Sequence, residues 1–250
     1  MSAPTLAEVC VVACAEAWRG DGAVLASAFG AIPTIAARLA KATFEPDLIV
    51  ADGEAYAIAN PLPLGASNGK MVVEAWIPFR SVFALLAAGR RHVMMGASQL
   101  DRFGNQNISC IGPHERPKVQ LIGVRGAPGN TVNHATSYWV PSHSSRVFVE
   151  QVDMICGVGY GRLEGAAGRY HDVRRVVTNR GIFDFEGRNR SMRVRSLHPG
   201  VSLDDVVRET GFPLEVPGTV ETTRQPTDDE LSLIRDVLDP RGQRDAEVRE

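Results

Sequence analysis

Val-Met-Met-Gly-Ala-Ser-Gln-Leu-Asp-Arg-Phe-Gly-Asn-Gln-Asn-Ile-Ser at 93–109 and Gly-Val-Arg-Gly-Ala-Pro-Gly-Asn at 123–130 are the stretches that decide the fold. Each ends a short apolar run that breaks into small and turn-forming residues. Runs of that length suit strands buried on both faces of an α/β sheet, and the small residues after them let another group approach the backbone closely. In open α/β sheets, ligands bind beyond the carboxyl ends of the strands. Two such turns in one domain outline a site.

Outward from these turns, Leu6, Val9, Cys10, Ala13 and Ala17 recur at helical spacing, predicting a helix over 5–18. A short buried strand follows at 23–28, then an amphipathic helix from Ile32 to Phe44 that Glu45-Pro46 ends. Leu48-Ile49-Val50-Ala51 reads as a strand running into the turn pair Asp52-Gly53. A loop at 60–70, a helix at 79–88 and a strand at 92–95 complete the first part. Further strands are expected at 118–124 and 146–156, with a Gly-rich loop at 157–168. Val173–Thr178, Ile182–Phe185 and Arg193–Leu197, joined by hairpin-type turns, predict an antiparallel addition at a sheet edge.

Two acidic clusters, Ser202-Leu203-Asp204-Asp205 and Thr227-Asp228-Asp229-Glu230, read as capped helix starts in preference to paired catalytic carboxylates. With no internal repeat and no dividing linker, the expectation is one α/β domain over 1–250. It is an open, mostly parallel sheet with flanking helices and an antiparallel extension, and its charged tail from about 241 is frayed.

Bulk properties narrow the function. Apolar residues make up 44% and charged ones 22%, ordinary for a globular protein with ample core, and a net charge of −2 argues against nucleic-acid binding through phosphates. No run reaches the length of a membrane span and no signal-peptide pattern opens the chain, so a cytoplasmic protein is expected. Cys10, Cys14, Cys110 and Cys156 form no C-x-x-C pair and read as buried reduced thiols. The six histidines, His134 and His143 included, lack metal-ligand spacing, so no metal is expected. Ser98 follows Gly96-Ala97 without the G-x-S-x-G elbow of a nucleophile.

Gly-Ala-Ser-Gln-Leu-Asp-Arg-Phe-Gly-Asn-Gln-Asn at 96–107 resembles the G-A-x-Q-x-D-x-x-G-N-x-N segment of class I coenzyme A transferase beta subunits. Residues 123–130 resemble the glycine-rich oxyanion segment that follows it there. His198-Pro199-Gly200-Val201, Asp204-Asp205-Val206 and Thr210-Gly211-Phe212 resemble a late stretch of the same family, so the likeness runs over nearly the whole chain. It implies an architecture like that of glutaconate CoA-transferase, an acyl-CoA substrate and an alpha-subunit partner in an α2β2 assembly. In those transferases a strand-end glutamate attacks the thioester carbonyl. Here its place falls on Ala51, whose methyl group cannot attack; Asp52 and Glu54 are the nearest carboxylates. Arg125 stands where the transferases carry a small residue, and a guanidinium there offers bidentate geometry to a carboxylate or enolate.

Thr131–Val140, Arg146–Asp153 and Asn179–Gly187 further resemble beta subunits of a hydrolytic branch that opens the last steroid ring. That resemblance implies carbon–carbon hydrolysis of a cyclic beta-keto acyl-CoA, with the general base on the alpha subunit and no cofactor beyond the coenzyme A carried by the substrate. The expected roles follow. Backbone N–H groups of Gly126 and Ala127 serve as oxyanion donors and Arg125 holds negative charge. Asn105 and Asn107 order the loop or bind substrate polar groups, and Ala51 and Asp52 border the substrate. Tyr138 is a core or interface residue within reach of a substrate polar group. The rival readings are a genuine class I transferase and, since this fold type also serves in sensors, a non-catalytic scaffolding subunit.

Overall fold

A computed structural model describes residues 2–51, 55–65, 70–162 and 165–248. The chain forms two compact units, Met1–Met95 with Arg224–Glu250, and Gly96–Thr223. The second is one continuous segment, and both chain ends build the first.

The first unit opens with α1 (Leu6–Ala15), whose Thr5 cap accepts the Glu8 N–H at 3.3 Å and donates its own N–H to the Glu8 carboxylate at 2.9 Å. Ala7 through Ala15 are all buried, so this helix is core on every side. Then come β1 (Leu25–Ala28), α2 (Ala31–Thr43), β2 (Ile49–Val50), β3 (Tyr56–Ile58), β4 (Val73–Trp76), α3 (Phe79–Ala87) and β5 (Arg91–Gly96). Strand β1 pairs in parallel with β2 and with β5, bringing Leu25 opposite both Ile49 and Arg91. Ile32, Ile35 and Leu39 of α2 lie fully buried. Strands β3 and β4 pair antiparallel. Every element predicted for this part of the sequence is present, while residues 66–69 of the 60–70 loop lie outside the described residues.

In the second unit, β6 (Gln99–Leu100) pairs antiparallel with β7 (Gln106–Asn107), and β8 (Cys110–Ile111) with β9 (Val119–Gln120). Next are α4 (Ala127–Asn133), β10 (Ala135–Val140), β11 (Val173–Thr178), β12 (Gly181–Asp184), β13 (Arg193–Leu197), α5 (Leu203–Arg208) and β14 (Glu221–Thr222). Strands β10 and β11 run parallel, β12 and β13 add antiparallel as predicted, and β14 returns to a parallel pairing.

Several expectations are corrected here. The 118–124 stretch is no buried strand: β9 is only Val119–Gln120, and Val119 and Ile122 are exposed. The apolar residues there have no covering layer among the described residues. Residues 146–156 form turns with one bridge, Phe148 to Leu100, in place of a strand. The longest strand the pattern missed is β10, buried at all six positions although Thr136 and Ser137 interrupt its apolar run; the short β3, β4, β6, β7, β8 and β14 were not predicted either. Ser202 begins α5 without making a side-chain cap.

The chain then returns to the first unit through α6 (Asp228–Ser232), where Thr227 and Glu230 do complete a capping box. The tail expected to fray is instead anchored as far as Glu247, whose carboxylate accepts the Ile32 N–H at 2.6 Å. Arg244 is buried and bonds Asp239 at 3.0 Å and Glu8 at 2.9 Å. Arg235 grips the same Glu8 carboxylate at 2.7 and 2.8 Å. Burial raises the Glu8 pKa. The Arg235 contact, the Thr5 N–H and the Arg244 charge outweigh that effect and hold it at about 2. Such a carboxylate stabilises the fold above its unfolded pKa, and the contribution fades as pH falls towards 2. Glu8→Gln should cost about 2–3 kcal/mol at neutral pH and flatten the acid limb of a stability–pH profile from denaturant melts.

Candidate active site

Asp101 follows β6, and its carboxylate gathers the next turn. It accepts the N–H groups of Phe103 and Asn105, both at 3.0 Å, and the Asn105 amide at 2.7 Å. The turn requires Gly104 at φ 81°, where an added Cβ would lie 2.7 Å from the Phe185 ring. Asn105 Oδ1 in turn accepts the Gly159 N–H at 2.8 Å. Gly159 lies so close that a Cβ there would stand 2.2 Å from the Phe103 carbonyl oxygen and 2.5 Å from the Asn105 nitrogen. One residue on, the Gln106 N–H donates to the Gly157 carbonyl at 2.8 Å. The Gln106 side-chain amide donates to the Gly96 carbonyl, leaving its buried Oε1 without a partner among the described residues.

Asn107 locks the far end of this loop. Its amide donates to Gln99 and to the Cys110 carbonyl, both at 2.7 Å, and its oxygen accepts the Ser109 N–H at 2.9 Å. Gln99 passes the connection to Asp153 at 3.1 Å. Tyr138, fully buried on β10, turns its hydroxyl to the Gly104 carbonyl at 3.4 Å. Burial, with Asp101 nearby, pushes its pKa far above the ordinary phenol value, so it remains a neutral donor.

The second loop is held differently. Arg125 adopts φ 49°, a left-handed conformation that costs a non-glycine residue of the order of 1 kcal/mol. It is exposed, and its guanidinium forms no ion pair with a described residue. Gly126 is exposed and caps α4. The Ala127 N–H already donates to the Val124 carbonyl at 3.1 Å, so of the two expected oxyanion donors only the Gly126 N–H has no hydrogen bond to a described residue. Thr131 on α4 accepts the Val158 N–H at 3.1 Å, so residues 156–159 stitch the two glycine-rich loops together.

The second unit thus brings Asn105, Asn107 and Tyr138 together as a buried scaffold, with Arg125 and Gly126 at its exposed lip. Both asparagine side chains serve the loop-ordering alternative. Ala51 belongs to the first unit, half-buried and bridged to Ala57, and Asp52 and Glu54 lie outside the described residues. The sequence reading missed Gly159, Thr131 and Gln106. Gly157 and Gly159 are visible in it only as a glycine-rich loop, because nothing local says which backbone they must approach.

The remaining candidates are structural. His143 stacks on Phe148 with ring centres 4.0 Å apart and bonds Thr210 at 2.9 Å, and burial lowers its pKa to about 3. All four cysteines are buried, and none forms a disulfide. No group of three or more His, Cys, Asp or Glu is placed to hold a metal among the described residues, and no described helix is long and apolar enough to cross a membrane.

Residues 13–209 match the family model for coenzyme A transferase. The chain is 53% identical over 248 residues to the cholesterol ring-cleaving hydrolase IpdB subunit of Rhodococcus jostii, covering 98% of this chain and 96% of that one. It is 52% identical over 247 residues to the subunit of the same name from Mycobacterium tuberculosis, covering 98% and 99%. The crystal structure of Rhodococcus jostii IpdAB includes a chain that superposes with a TM-score of 0.94 at 50% identity, with full coverage of both chains.

Two substitutions test this geometry. Gly159→Ala should destabilise the protein by about 3 kcal/mol, because the clash is with backbone that cannot move aside. Arg125→Gly should raise stability by about 1 kcal/mol by relieving the left-handed strain, read as a higher melting temperature.

Proposed function

The chain belongs to the coenzyme A transferase family, and we propose that it is the beta-type subunit of a heteromeric hydrolase that cleaves a ring of a cholesterol-derived acyl thioester. The observation that carries this reading is identity of more than half over nearly the whole chain to subunits named for cholesterol ring cleavage. Ala51 agrees with it. A transferase that works through a glutamyl thioester needs a carboxylate where this chain has a methyl group.

The substrate of this reading is a cyclic acyl-CoA with a ring ketone beta to the thioester carbonyl. Water, deprotonated by a base on the alpha subunit, adds to the ring ketone. The tetrahedral alkoxide collapses to a carboxylic acid as the bond to the thioester's alpha carbon breaks. The electron pair passes into the thioester enolate, and a proton then returns to that carbon. Negative charge forms twice, on the alkoxide and on the enolate. Arg125 answers it with a permanent positive charge and the Gly126 N–H with a hydrogen bond, groups of the kind that stabilise such charge best when fixed beforehand. Coenzyme A enters only as part of the substrate, no further cofactor is needed, and the enzyme works in the cytoplasm.

Arg125→Met should lower kcat/KM by about 2–4 kcal/mol in the complex with the alpha subunit, whereas wild-type kinetics in that variant would remove Arg125 from the mechanism. The reaction class is read in 18O-water by mass spectrometry. A ring-opened product that keeps its thioester and carries 18O in a new carboxylate is the expected result. Coenzyme A passed to an added carboxylate acceptor would make the chain a transferase subunit instead.

A further inference from the structure

In the first unit, α2 half-buries a cation that the reaction does not use. Arg38 and Lys41 stand three residues apart and share one face of the helix, where like charges repel. Lys41 has a counter-ion. Its Nζ meets the Glu74 carboxylate at 2.9 Å and donates to the Leu48 carbonyl at 2.8 Å. Arg38 has none. Its Nη1 donates to the Leu62 carbonyl at 2.7 Å, but no carboxylate pairs with it among the described residues, and its buried Nε has no partner there. Burial lowers its pKa from the ordinary guanidinium value, yet an arginine keeps its proton in the accessible pH range, so the charge stays. A charge withdrawn from water without a counter-ion destabilises a fold unless something outside the chain pairs with it.

Beside these two side chains lies a recess of about 20 Å³, bounded by α2, β2 and the segment that leaves β3. A single water needs about 10–15 Å³ of such space, so the recess takes one water-sized occupant and excludes a phosphate. Arg38, Lys41 and Asn60 form its polar wall, and Val50, Ile58 and Pro61 its apolar one; no Asp or Glu lines it among the described residues. The Ala59 N–H closes the β3–β4 pairing on the Val72 carbonyl at 2.9 Å, and the next N–H, that of Asn60, has no hydrogen bond to a described residue. The Asn60 side chain is already committed, its amide to the Lys70 carbonyl at 3.0 Å and its oxygen to the Val72 N–H at 2.7 Å. The wall thus combines N–H donors with a net positive charge, in surroundings where such a charge acts more strongly than in water.

We propose that this recess binds one monatomic anion of the chloride class, held by the Arg38 guanidinium and the Asn60 N–H in the field of Lys41. A halide accepts hydrogen bonds from every side and supplies the missing counter-charge, in a space too small for a polyatomic anion. A water of the same size would satisfy the donors but leave the charge uncompensated. The ion ties α2 to the 58–62 segment, which Arg38 already holds through the Leu62 carbonyl. It uses no residue of the loops at 101–107 and 125–127, so the proposal stands or falls apart from the reaction class.

The test uses the complex assembled with its alpha subunit. Melting temperature is read at fixed pH and ionic strength in sodium gluconate, chloride and bromide. Chloride and bromide should each raise it by about 2–4 °C over gluconate. Arg38→Gln should abolish that difference, and Arg38→Lys, which keeps the charge, should retain part of it. General salt effects act on wild type and variants alike, so the comparison isolates the site. Crystals of the wild-type complex grown in bromide should show an anomalous peak within hydrogen-bond distance of Arg38. That reading needs no variant, and it decides the matter if Arg38→Gln fails to fold for want of its bond to Leu62. Equal melting in the three salts would overturn the proposal, since a peak without that dependence is an adventitious ion only. An anion dependence that persists in folded Arg38→Gln would overturn it as well. So would an ordered water in place of the peak, or a carboxylate of the alpha subunit, which would make Arg38 a subunit contact.

Discussion

The close approach of Gly159 to the 103–105 backbone is the constraint on which the second unit's site depends. Hydrogen bonds alone do not explain it, since any residue at 159 could donate an N–H to Asn105. What only glycine permits is the distance, 2.2 Å from a would-be Cβ to the Phe103 carbonyl oxygen. That contact fixes Asn105, whose amide is clamped by Asp101, and through Asp101 it fixes the turn itself. Tyr138 closes the arrangement from below, through the carbonyl of Gly104. Polar side chains buried here are retained because each satisfies backbone that the turn has taken out of regular pairing.

The lip of the site follows a different rule. Asn105, Asn107 and Tyr138 are buried and committed, but Arg125 is exposed, strained and without an ion-pair partner among the described residues. A left-handed arginine with nothing to hold it is hard to explain by stability, because glycine at that position would be less strained. Strain of this kind points to a group positioned for something outside the chain, and a heteromeric enzyme supplies two such things, substrate and partner. The exposed Val119, Ile122 and Val124 just before it have the same character.

What the sequence made legible divides by the range of the interaction. Helices α1 to α3 and the parallel strands of the first unit could be read from periodicity, since their burial is regular and local. Motif order made the family readable because the glycine-rich turns are spelled out residue by residue. Reading failed where burial is decided by distant neighbours. Strand β10 hides Thr136 and Ser137 inside a layer that the local pattern cannot announce, and the apolar residues of 118–124 stay exposed among the described residues. The tail misled for a related reason. Its charges read as a solvated end, yet Arg244 is drawn inward by Glu8, 236 positions away. Of the site, the residue types at 105, 107 and 125–127 were readable; that the Ala127 N–H is already spent on Val124 was not.

Replacing a nucleophilic carboxylate with Ala51 changes more than one group. Without an acyl-enzyme, the thioester survives the reaction, and the electrophile becomes the ring ketone. Charge must then be stabilised without a covalent intermediate to divide the barrier, which favours a permanent cation over a titrating one. Arginine suits that demand because it does not lose its proton in the accessible pH range. The second unit's buried His143 and Tyr138 are held neutral by burial, so neither adds a charge that titrates near neutral pH beside the loops. What the second unit itself supplies is geometry and a fixed charge: a buried, fully bonded scaffold at Asn105, Asn107 and Tyr138, and an exposed arginine at 125.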